Sequence, residues 1–126
     1  MRLGTIALCV LASACATPAM SPANLAPDAN FTAAPAYRLA APVTIKASAA
    51  GNQTLRADTT WMRVGSIAHG DVFHTKDQIV IIDSFNVFEA DIVVKDGKVV
   101  GYFIPVGSRF VVAQPVAINL AIKDPQ

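Results

Sequence analysis

The dipeptide Asp96-Gly97 stands between two β-rich runs, Ala90–Lys95 and Lys98–Ile104, and no other feature constrains the fold as tightly. A two-residue loop between such runs predicts a β-hairpin closed by a type I′ turn. Both turn positions then need positive φ, which Gly takes freely and Asp tolerates. The implied register pairs Lys95 with Lys98, Val94 with Val99, Val93 with Val100, Ile92 with Gly101, Asp91 with Tyr102 and Ala90 with Phe103. One face carries Ala90, Ile92, Val94, Val99, Gly101 and Phe103 and reads as core. The other, with Lys95, Lys98, Asp91, Tyr102, Val93 and Val100, reads as wetter.

The same two-residue period recurs elsewhere. Val43, Ile45 and Ala47 alternate with Thr44, Lys46 and Ser48, and Val116, Ile118, Leu120 and Ile122 alternate with Ala117, Asn119, Ala121 and Lys123. Each predicts a strand with one buried face. Gln78–Asp83 (QIVIID) is nearly all apolar and suits a strand covered on both faces. Gly51-Asn52, His69-Gly70-Asp71, Gly107-Ser108 and Gln114-Pro115 mark turns, and no amphipathic helix is visible after Val43. The expectation for residues 43–126 is an all-β domain, a small antiparallel sandwich or a barrel-like sheet.

The N-terminus reads as an address. Arg2 is followed by an apolar stretch, Leu3–Ala14, too short for the roughly 18–20 residues of a spanning helix, and then by small residues and Cys15. That order is the one an export signal requires. The stretch Leu11-Ala12-Ser13-Ala14-Cys15 resembles the lipobox of bacterial lipoproteins. The resemblance covers residues 1–15 and implies cleavage after Ala14 and a lipid on Cys15. Ala12 stands where that family prefers Leu. Ala12-Ser13-Ala14 also fits a general signal peptidase site, which would leave a soluble periplasmic or secreted product. Cys9 would go with the signal peptide 1–14, so the exported chain keeps one cysteine and has no internal disulfide partner. With Ala16 rather than an aspartate after the cysteine, the resemblance implies the outer membrane of a Gram-negative cell, reached from its periplasmic face.

Residues 15–42 read as a flexible, lipid-anchored linker. From residue 16 onward they hold ten Ala and five Pro, with Asp28 and Arg38 as the only charges. Prolines at that density break helices and remove ladder donors. A linker of this length spans about 30 Å if flexible and about 80 Å if fully extended as polyproline II. Phe31 and Tyr37 are its aromatic residues. Without Arg2 the exported chain has nine basic and nine acidic residues, scattered in sequence. A nucleic-acid partner is therefore not expected, since that would call for a basic patch.

For chemistry, His69-x-Asp71-x-x-His74-x-x-Asp77 is the densest cluster of metal-ligating types. On a strand His69 and Asp71 share a face while His74 points away, and the cluster also reads as a polar turn followed by an exposed strand. Glu89 and Asp91 are two carboxylates on one strand face, as glycosidases use and as any polar surface shows. There is no nucleophile elbow and no glycine-rich phosphate loop, so no cofactor is expected. Trp61, Phe85 and Phe88 lie near predicted turns, where exposed aromatics would mark a contact surface. The leading expectation is a membrane-anchored binding or structural module that meets an envelope protein or cell-wall component. The alternatives are a small metal-dependent hydrolase built on His69, Asp71 and His74, and an inhibitor of an exported enzyme presenting Asp83–Glu89.

Overall fold

The computed structural model describes residues 20–29, 35–83 and 87–123. The signal peptide, Cys15, Phe31 and Phe85 lie outside them. Every regular element among the described residues is a strand: β1 (Met20–Pro22), β2 (Ala26–Pro27), β3 (Ala36–Leu39), β4 (Val43–Ala47), β5 (Gly51–Leu55), β6 (Thr60–Ile67), β7 (Gly70–Thr75), β8 (Ile81–Asp83), β9 (Val87–Glu89), β10 (Asp91–Lys95), β11 (Lys98–Ile104), β12 (Arg109–Ala117) and β13 (Leu120–Ile122). All pairings are antiparallel. The all-β, sandwich-like or barrel-like expectation holds.

The main sheet runs β1-β12-β11-β10-β7-β6-β3-β13, with β2 also on β6. It cannot be flat. Six strand spacings separate β12 from β13, about 29 Å in a planar sheet. Yet only Ile118 and Asn119 join them, and three peptide steps reach at most about 11 Å. The sheet therefore rolls up, bringing its far edge back toward β12. Ile118 N donates to the Gly97 carbonyl and Ala40 N to the Asn119 carbonyl, which pins the crossing.

Asp96 (φ 53°) and Gly97 (φ 76°) form the expected tight turn. The register departs two residues later: Val94 pairs with Val99 but Val93 pairs with Gly101, leaving Val100 as a bulge. One inserted residue moves every later side chain to the opposite face. Tyr102 thus joins Ile92, Val99 and Ile104 in the larger core, while Phe103 turns to the other face with Val72 and Val93. The predicted assignment of these two aromatics is reversed.

The other face is not wet either, and the reason corrects the domain boundary. Residues assigned to a linker are part of the fold. β1 pairs with β12, β2 with β6 and β3 with both β6 and β13. Between β1 and β2 the chain crosses the second face as a strap. Ala23 and Leu25 pack there against Ile67, Val72, Val93, Phe103 and Phe110. Pro22 and Pro27 end their strands at sheet edges, where no ladder donor is missed. Asp28 closes the strap with an ion pair to Arg63. Gly65 is needed beneath it, because a Cβ there would collide with the Ala26 carbonyl oxygen. Tyr37 packs edge-on against Phe73, with ring centroids 5.4 Å apart.

Over the larger core lie two hairpins, β4–β5 and β8–β9. Val43, Ile45 and Ala47 point into the core as the alternation requires. Two glutamines stitch the hairpins together. Gln53 exchanges both amide groups with the backbone of Ile81, and Gln78 does the same with Arg56 N and the Thr54 carbonyl. Each side-chain amide stands in for a missing stretch of ladder. Gln78–Asp83 is not a strand covered on both faces: only Ile81–Asp83 is strand, with Val80 and Ile82 buried but Ile79 and Ile81 exposed. The segment lies in the outer layer, which has one inner face.

Among the described residues, the hydroxyl of Tyr102 is the buried side-chain polar atom without a hydrogen-bond partner. Burial pushes its ionisation up to about 12, so it stays neutral at any working pH. An unpaired buried hydroxyl costs stability, and removing it is favourable. Tyr102→Phe is expected to stabilise the domain by about 1 kcal/mol, read as a rise of about 4–8 °C in melting temperature. A fall would show that the hydroxyl is paired in solution.

Candidate functional site

The structure separates the three predicted metal ligands. His69 lies in the β6–β7 turn and stacks on Phe110, with centroids 3.8 Å apart and planes 8° from parallel. Asp71 pairs with Arg63 at 3.1 Å, its side chain exposed near the start of β7. His74, three residues along the strand, faces the opposite way, as period two demands. Among the described residues no group of three His, Cys, Asp or Glu side chains is placed to hold a metal ion.

His74 instead finds a partner on the neighbouring strand. β10 pairs Ile92 with Phe73, which sets Asp91 directly across from His74. Nδ1 of His74 lies 2.6 Å from Oδ1 of Asp91. The carboxylate is buried, only 7% exposed, while the imidazole is half-open. With Asp91 ionised, Nδ1 donates and Nε2 remains as an acceptor. The pair forms the floor of a cleft of about 360 Å³ lined by His74, Glu89, Asp91, Pro105 and Val106. A second cleft on the far side of the imidazole, about 220 Å³, is lined by Thr60, Met62, His74, Lys76 and Asp77.

Register explains the first cleft's walls. Val87 and Glu89 share the exposed face of β9, and Ile81 pairs directly with Glu89. Pro105 and Val106 form the opposite wall from the β11–β12 turn. Among the described residues no hydroxyl or thiol side chain lines this cleft, so none of them offers a nucleophile for the His74–Asp91 pair to activate. It can orient, accept a proton and carry charge.

Burial raises Asp91's affinity for its proton, against the opposing hydrogen bond and charge of His74, and Glu89 adds a smaller push in the same direction. Unfolded aspartate titrates near about 3.9. Between that value and the raised folded value the native chain holds the extra proton, so stability falls as pH rises through this window. Asp91→Asn removes the linkage. The variant should gain stability relative to wild type progressively as pH is raised from about 4. Urea midpoints across the pH series check this; a difference independent of pH would contradict it.

The contact-surface candidates also move. Trp61 is 0% exposed in the larger core, and its Nε1 donates to Thr59 Oγ1 at 2.8 Å. It is not a surface residue: the β6 alternation turns it inward, and Thr59 satisfies its polar handle. Phe88 is half-buried and packs on the same core. The exposed apolar side chains are others: Ile79 (70%), Ile81, Val87 (66%) and Val106 (71%), with Ile122 at the edge. Ile79 and Ile81 were visible in sequence only within an apolar run. The partial signal for them was Gln78, a polar residue at the start of a segment otherwise suited to full burial. The chain matches no protein-family model, no curated protein and no solved structure.

Proposed function

We propose that this protein is an envelope lipoprotein, anchored through acyl chains on Cys15, whose β domain is a binding module for another envelope component. The contact surface is the outer face of β8–β9 together with the cleft beside it. One observation carries this reading: Ile79, Ile81 and Val87 stand exposed on or beside one hairpin, and Val106 faces it across the cleft. Apolar side chains gathered in this way on an otherwise well-packed small domain mark a contact site.

The strap changes what the anchor does. With Met20 already in the sheet, five peptide steps separate it from Cys15 and reach at most about 18 Å. The domain is held against the bilayer rather than on a long leash, so its partner is sought close to the membrane surface. Two acyl chains suffice for stable attachment, at about 0.8 kcal/mol per buried CH₂.

Two variants test the reading. Cys15→Ser should leave the membrane fraction and lose the acyl mass; persistent attachment would remove the anchor. Val87→Asp should fold normally, since the side chain is exposed, yet lose at least tenfold in capture of cross-linked partners from envelope extract. Unchanged capture would move the contact surface elsewhere.

A further inference from the structure

We infer that the cleft between β9 and the β11–β12 turn receives one lysine side chain of the partner. Its aliphatic stem would lie along Pro105 and Val106 and its ammonium group between Glu89 and Asp91. The inference rests on the binding-module reading and adds the chemistry of the group bound. Two carboxylates line this cleft, and the only basic side chain among its lining residues is His74, whose Nδ1 is already engaged by Asp91. Lys76 lies beyond the imidazole in the second cleft, beside Asp77. Arg109, at the end of the turn, is directed to Met20 Sδ. The cleft is therefore negative, and it disfavours a carboxylate or phosphate ligand.

The buried carboxylate makes the complementarity specific. Asp91 is nearly closed off from water, and Glu89 and desolvation act on it in the same direction. A cation seated between the two carboxylates offsets both effects. Apolar walls beside an anionic floor suit a side chain that is greasy along its length and charged at its tip. Lysine fits better than arginine. A guanidinium is best met by a carboxylate that offers both oxygens in one plane, and one oxygen of Asp91 is committed to His74.

The test is an NMR titration of the full chain in detergent micelles with butylammonium chloride, using butanol, sodium chloride and butylguanidinium chloride as parallel probes. Butylammonium should give saturable shifts at the His74 ring protons and at the Glu89 and Val106 amides. Butanol and sodium chloride should give none. Glu89→Gln, an exposed substitution that spares the core, should weaken binding at least tenfold, and Asp91→Asn likewise. Equal response to butanol, undiminished binding in Glu89→Gln, or no saturable shift overturns the inference. Tighter binding of butylguanidinium assigns the cleft to arginine and overturns it too. Capture of a partner that still depends on Val87 would then leave the binding-module reading standing, so the two fail separately.

Discussion

A chain beginning at Ala29 should lose cooperative unfolding, whereas one beginning at Met20 should melt like the untruncated protein. Removing residues 20–28 strips the cover from Ile67, Val72, Val93, Phe103 and Phe110. It also deletes the β1–β12 and β2–β6 ladders and the Asp28–Arg63 pair. Fully uncovering even two of these side chains would cost about 3–6 kcal/mol, at about 1.5–3 kcal/mol for each large apolar side chain. Domains of this size have a total stability of only about 5–15 kcal/mol. A true linker could be removed without effect, so the experiment separates the two roles of this segment. Near-ultraviolet circular dichroism and urea titration of the two truncations provide the readout. A sigmoidal transition of wild-type midpoint from the Ala29 chain would show that the strap is dispensable.

Trp61→Ala should cost about 3–5 kcal/mol, the range for deleting a buried tryptophan. The side chain is wholly enclosed, and its loss also takes the indole N–H donor from the buried Thr59 hydroxyl, which keeps only its bond to the Arg56 carbonyl. On a domain with a thin margin this leaves a large unfolded fraction at 37 °C. Trp61→Phe keeps most of the volume and should cost markedly less. Fluorescence-free probes, such as urea unfolding followed by far-ultraviolet circular dichroism, avoid losing the reporter along with the residue. If Trp61→Ala folded normally but bound poorly, the burial of this side chain would be wrong and the surface reading restored.

Parts of the fold were legible in sequence because they depend on near neighbours. The Asp96-Gly97 turn needs two residues with particular φ preferences, and the β4 face needs alternation over five. The bulge at Val100 was not legible. Nothing in Lys98–Ile104 distinguishes a regular strand from one with an extra residue, yet this single insertion decides which of Tyr102 and Phe103 enters which core. The strap was hidden for another reason. Its alanines and prolines have the composition of a spacer, and what holds them is surface contributed by strands far along the chain. The site was half visible. His74 stood out as a candidate and Asp91 as half of a carboxylate pair, but joining them requires the β7–β10 register, which no local pattern carries.

The strap also has a consequence for the order of assembly. Met20 meets Arg109 across 89 positions of sequence, and among the described strands β1 pairs with β12 alone. The first described strand is thus among the last to find its place. High contact order of this kind slows folding, because distant segments must meet before either is rewarded. Under the proposed lipoprotein reading the chain is threaded outward from its N-terminus, and such delay is useful. On that reading the sheet cannot be completed until the β12 residues are available to pair with β1, which keeps the chain open while it is threaded.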